Sequence, residues 1–122
     1  MLVIRQAQYA ALEQATLERW LEKHLDDHFP ELRESYPDDR HRQFIRDGMA
    51  RARTRGFTEG PHVAQWLNLM TVLGPRFDDD AAHSWVADIL NSSEPASHRI
   101  QDLLSAAEKH LWADAEESAE TT

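Results

Sequence analysis

The residues best suited to chemistry by type and spacing are His24 and His28, in the run His24-Leu25-Asp26-Asp27-His28. Histidines four apart share a helical face, so two imidazoles can converge on one metal ion. The zinc-protease pattern needs a glutamate directly after the first histidine to activate the metal-bound water, and Leu25 stands there instead. No third ligand accompanies the pair. The expectation is two histidines flanking an amphipathic face, with no metal. A second cluster, Asp78-Asp79-Asp80, lacks the alternating ligands and central glycine of a calcium loop. Its expected role is to cap a helix, where carboxylates meet free amides and the positive end of the helix dipole. The four glycines stand singly, so there is no phosphate-cradling loop, and the lack of cysteine excludes thiol nucleophiles, thiolate metal sites and disulfides. The other histidines, serines and carboxylates show no spacing that pairs a nucleophile or base with an orienting group. No catalytic residue, cofactor or enzyme activity is expected, and the work of the chain is expected to be binding.

Two segments are suited to that work. Between Arg40 and Arg55 there are six arginines against one aspartate, in a chain of net charge -9. At about 100° per residue, Arg42, Arg46 and Arg53 fall in one narrow sector opposite Phe44, Gly48 and Ala52, while Arg40, Arg51 and Arg55 occupy another flank. The planar guanidinium fork suits bidentate capture of carboxylates. These stripes can receive an acidic partner, or pair with acids of the first helix and the tail. The second segment is His62 to Leu73, HVAQWLNLMTVL, which carries no formally charged residue although 29% of the chain is charged. Beside its apolar face it presents Gln65, Asn68 and Thr71 at three-residue spacing, a polar stripe that enters an interface without desolvating ions. The competing reading buries this stripe beneath the first or last helix, since Val72 on the same side also needs cover. Arg42, Arg46, Arg53, Gln65, Asn68 and Thr71 are the candidate partner-binding residues.

The elements that position them read as helices throughout, because no stretch alternates with a period of two. The prediction is an all-α, compact irregular bundle of about five helices with a central apolar helix at about 61–73. Residues 1–112 form one domain, and the acidic segment 113–122 is expected to be disordered. The first helix spans Gln6 to His28, with Tyr9, Leu12, Leu17, Trp20, Leu21 and Leu25 on its inner face, and Pro30 limits it. A short turn follows at Glu31 to Ser35. The arginine helix begins near Pro37 and ends at Gly56, burying Phe44, Ile45, Gly48, Met49 and Ala52. Thr58 and Pro61 open the apolar helix, whose face is Val63, Trp66, Leu67, Met70 and Leu73, and Gly74-Pro75 closes it. A fourth helix runs from about Ala81 to Asn91 on Trp85, Val86, Ile89 and Leu90. A fifth spans Ala96 to about Trp112 on Ile100, Leu103, Leu104, Ala107 and Leu111. All four tryptophans sit on apolar stripes and are expected in or near the core.

Charge and hydropathy narrow the surroundings. An acidic chain is a poor general ligand for phosphate backbones, so no nucleic-acid partner is expected, and His62 to Leu73 is too apolar to read base edges. No continuous apolar span reaches membrane length. The opening MLVIRQAQY lacks the regions of a signal peptide, which makes the cytoplasm the expected location.

The opening VIRQAQYAALE, HFPE at His28 to Glu31, the long segment IRDGMARARTRGFTEGPHVAQWLNLMTVLGPRFDDD from Ile45 to Asp80, and SWVADILN from Ser84 to Asn91 together resemble a known group of proteins. These are the small α-helical accessory proteins encoded in bacterial type VI secretion effector clusters, beside spike, adaptor and toxin genes. The resemblance implies a cytosolic, non-enzymatic role, adaptor-like or co-chaperone-like, in which the chain binds a secretion adaptor or effector during effector loading. The shared positions are mainly framework, so the resemblance transfers no binding residue. The alternative is an immunity protein that neutralises a toxin domain, for which the acidic charge suits a basic nuclease target. A homodimer through an exposed part of the apolar helix is also compatible with its composition.

Overall fold

The computed structural model describes the backbone of residues 6–120 and, within it, the side chains of residues 13–111. Six α-helices follow in the order α1 (Gln6–His28), α2 (Leu32–Ser35), α3 (Asp38–Thr54), α4 (Gly60–Leu73), α5 (Ser84–Leu90) and α6 (Ala96–Glu120). A single 3-10 turn, Ala81–His83, leads into α5. There is no strand among the described residues, and none of the helices is long and apolar enough to cross a membrane. The chain is all-α, and the helices form one bundle.

The helix ends have local causes. At the end of α3, Gly56 adopts φ +90°, its N–H donates to the Arg53 carbonyl at 3.0 Å, and the Phe57 N–H donates to the Ala52 carbonyl at 2.8 Å. This pair of bonds is the Schellman arrangement, which satisfies carbonyls the helix leaves open and needs a left-handed residue at the glycine. Phe57, the residue beyond it, is fully buried. The turn therefore fixes both the end of α3 and the start of a column of rings. Phe57 packs on Trp66 of α4 at 5.6 Å between centroids, and Trp66 on Phe77 of the α4–α5 connection at 4.7 Å.

α4 lies at the centre, packed against α3, α6 and α1. Val63, Ala64, Trp66, Leu67, Leu69 and Met70 are all buried, which takes up most of its circumference and accounts for its lack of charge. Its closest neighbour is α3, where Phe44, Ile45, Gly48, Met49 and Ala52 are buried as the spacing predicts. Gly48 lets the two helices meet. A Cβ there would overlap Leu67 Cδ2 and stand 2.8 Å from Met70 Sδ.

Several local expectations are corrected. The N-cap of α4 is Glu59, not Thr58, and it makes no side-chain capping bond. The predicted fourth helix divides, because Asp80 accepts the Ala82 N–H at 2.9 Å and tightens the first turn into 3-10 geometry. α6 continues to Glu120, past the predicted end near Trp112, on a run rich in alanine and glutamate that favours helix. The side chains of Tyr9, Leu12 and Trp112 lie outside the described residues, as do those of the whole segment 113–122 whose disorder was expected. Three apolar side chains expected to be covered are open: Trp20 is 46% exposed, Val72 46% and Leu111 43%. Trp20 sits at the edge of the α1 stripe, where Leu21 and Leu25 take the inward positions and the indole stacks on His24 instead.

Candidate partner-binding surfaces

The two arginine stripes of α3 meet different fates. On the first, Arg46 Nε donates to Glu18 Oε1 at 2.9 Å and Arg53 Nη2 donates to Gln14 Oε1 at 2.8 Å, so both reach back to α1. Arg42 is left facing solvent, with Asp39 no nearer than 4.0 Å. The spacing that set these three apart from the core face thus turns them toward α1, and only Arg42 stays open for a partner.

The second stripe builds the most enclosed ionic cluster of the described residues. Arg51 donates from Nε and Nη2 to Asp78 Oδ1 at 3.1 and 2.6 Å, and Arg55 donates from Nε and Nη2 to Asp78 Oδ2 at 3.3 and 3.1 Å. Asp79 adds a 2.7 Å bond from Arg51 and a 3.5 Å bond from Arg55. The Asp78 side chain is 3% exposed. Burial at that level is tolerable only because two guanidiniums cover both carboxylate oxygens. Neither Asp78 nor Asp79 is therefore the helix cap expected from its position, and Asp78 is not solvated, whereas Asp79 is half exposed. They fasten the α4–α5 connection to α3, and Asp80 alone caps. Bonding from Arg51 holds the Asp79 carboxyl below the usual carboxylate range, and the same bonds hold Arg51 yet more firmly protonated.

The polar stripe of α4 is half-buried. Asn68 Oδ1 accepts from His24 Nε2 of α1 at 2.8 Å. Thr71 Oγ1 donates to the Leu67 carbonyl one turn back at 2.9 Å, and Gln65 Oε1 is buried without a hydrogen-bond partner in the protein. His24 stacks on Trp20, at 5.9 Å, and meets His28 tilted by 48°, at 4.6 Å between centroids. The predicted histidine pair is thus a rung of an aromatic ladder with one nitrogen committed to α4. Among the described residues, no group of three or more potential metal ligands converges.

A third cluster was not anticipated. His41, in the first turns of α3, is fully buried, and neither ring nitrogen has a hydrogen-bond partner. Its Nε2 is 4.0 Å from Asp26 Oδ1. Arg33 donates to Asp26 at 2.8 Å and to Glu22 at 2.8 Å across the same corner. Burial, and then the Arg33 charge, push the His41 imidazole below the ordinary histidine range, against the pull of Asp26, Glu22 and Asp38.

Several open grooves remain, and two of them have an apolar floor. One, of about 400 Å³, lies between α4 and α6 and is lined by Asn68, Leu69, Val72, Leu104, Ala107, Glu108 and Leu111. Asn68 is the only one of the six candidate residues that lines it; Gln65 and Thr71 do not, and the arginines stand elsewhere. The other, of about 570 Å³, runs along α3 beneath Pro75 and Arg76. Helical periodicity could mark Val72 and Leu111 as apolar but not as uncovered, since exposure depends on how far α6 stands from α4. No protein-family model, curated protein or solved structure matches this chain.

Proposed function

We propose that this chain is a non-enzymatic accessory protein that docks another protein through the groove between α4 and α6. The observation that carries the reading is the pair Val72 and Leu111. Both are large aliphatic side chains nearly half exposed, and they flank a groove whose floor is Leu69, Leu104 and Ala107. Isolated exposed aliphatics are ordinary, whereas two that border one apolar groove form a contiguous patch of the kind that marks an interaction site. Asn68 and Glu108 give it a small polar rim, the anatomy of a protein interface. The resemblance to accessory proteins of type VI secretion effector clusters supplies the partner class, a secretion adaptor or an effector held in a loading-competent state.

The second reading, an immunity protein, is favoured by the net charge of -9, which speeds encounter with a basic toxin domain and suits an active site that binds phosphate. A toxicity assay separates the two. Expression of the toxin domain alone, with and without this chain, should leave toxicity unchanged for an accessory protein, and deletion of the chain should then reduce effector secretion. Rescue of the cells would instead establish immunity.

A further inference from the structure

The second groove has a different chemistry. Its floor is Phe44 and Met70, both nearly fully buried, with Tyr36 and Pro75 as apolar walls, and the short side chain of Ala50 leaves room at one end. Over this floor stand Arg40 and Arg51 on one side and Arg76 on the other, against a single acid, Asp47, which is held by Gln43 at 2.7 Å. Arg40 makes no ion pair or side-chain hydrogen bond among the described residues. Arg76 is 76% exposed and approaches Asp79 only to 3.9 Å. In a chain of net charge -9, this is a local reversal of sign over an apolar floor.

The molecule itself shows what this flank of α3 accepts. Arg40, Arg51 and Arg55 share one stripe, and two of the three are already occupied by the carboxylates of Asp78 and Asp79, which arrive from the α4–α5 connection. The internal acids reach the Arg51 end of the stripe and stop there. From Arg40 to Arg51 the helix rises about 16 Å, the span of about five residues of extended chain.

We infer that this groove binds an acidic peptide segment of a partner protein, in which carboxylates flank one large apolar side chain. The apolar side chain enters over Phe44 and Met70 between Tyr36 and Pro75. The flanking acids engage Arg40 and Arg76 as Asp78 engages Arg51. The occupant must be acidic because the open cations are arginines, whose fork captures a carboxylate in two bonds, and because a neutral or basic segment would leave them desolvated and unpaired. This assignment does not rest on the α4–α6 groove, which is apolar and lies on another face of α4.

The test uses the full chain and two fluorescein-labelled peptides, Glu-Asp-Phe-Glu-Asp-Leu-Glu and its counterpart with every acid replaced by lysine, read by anisotropy and by backbone-amide NMR. The acidic peptide should bind, weaken as salt rises, and shift the amides around Arg40, Ala50 and Arg76. The lysine peptide should not bind. Arg40→Ala with Arg76→Ala should weaken binding about ten-fold or more, as expected for losing two charged contacts. Arg19→Ala with Lys109→Ala, which removes two exposed cations elsewhere, should change it less than two-fold. Circular dichroism of each variant checks that the fold is kept, and each single substitution serves if the pair disturbs it. No binding of the acidic peptide, equal binding of both peptides, or indifference to Arg40 and Arg76 would overturn the assignment. So would concentration-dependent shifts at these amides without peptide, since the occupant would then be a second copy of the chain.

Discussion

Removing the Asp78 carboxylate tests whether the α4–α5 connection is held by charge or only by the aromatic column beside it. Asp78 receives four N–H donors from two guanidiniums at 2.6 to 3.3 Å and is 3% exposed. Breaking a buried ion pair by deleting one partner costs about 3–5 kcal/mol, because the other charge is left uncompensated. Here the arginines are 25% and 32% exposed and retain Asp79, so both can partly rehydrate. The lower end of the range applies, and Asp78→Ala should destabilise the fold by about 3 kcal/mol. For a chain of this length that corresponds to a fall in melting temperature of roughly 10 °C. Asp79→Ala, on the exposed side of the same arginines, should have a much smaller effect. Urea denaturation followed by circular dichroism gives both values, and a double-mutant cycle with Arg51→Met should return a coupling of about 1–3 kcal/mol. If Asp78→Ala behaves like an exposed acid, within about 0.5 kcal/mol of the parent, the cluster is a surface ion pair and the reasoning fails.

Three further outcomes follow from particular contacts. His41 is held neutral by burial, so its folded-state affinity for protons is below that of the unfolded chain, whose histidines titrate near 6.5. The unfolded state therefore binds the extra proton first. The stability associated with His41 is complete above about pH 7 and is lost as pH falls through 6.5 and below, a slope that His41→Leu should remove in melting curves taken between pH 5 and 8. Asp26, whose carboxyl is held low chiefly by Arg33, loses its contribution only in the lower window beneath about pH 4, so the two slopes are separable. Gly48→Ala should destabilise despite a gain in helix propensity of about 1 kcal/mol, because the added methyl overlaps Leu67 in a closed core and overpacking costs about 1–3 kcal/mol; chemical denaturation gives the sign. Val72→Glu and Leu111→Glu should each change stability by no more than about 0.5 kcal/mol, since both side chains are already open to solvent.

The framework was legible because periodicity acts through local geometry. α1 ends where the sequence placed it, and the predicted face of α3 is buried, while α4 buries Ala64 and Leu69 beyond its predicted face and leaves Leu73 only partly covered. Gly56 announced the left-handed turn that ends α3. What escaped was set by distance between elements. Asp78 precedes a helix and so read as a cap, and nothing local announced that Arg51 and Arg55, more than twenty residues earlier, would close over it. Nothing local singled out His41, which α1 and α2 fold over and bury. Val72 and Leu111 followed the apolar stripes faithfully, and their exposure arises from the gap between α4 and α6. Of the candidate binding residues, Arg46 and Arg53 were turned toward α1 by the same geometry that grouped them, while Asn68 reached a groove that the sequence did not show.

The most direct test of the proposed accessory role is co-expression of the tagged chain with a type VI secretion adaptor and effector, followed by size-exclusion chromatography with mass determination. The account predicts a stoichiometric complex with the adaptor or the effector that Val72→Glu with Leu111→Glu abolishes while the variant itself stays folded. Failure to form a complex with either product, or a complex indifferent to both substitutions, would contradict it.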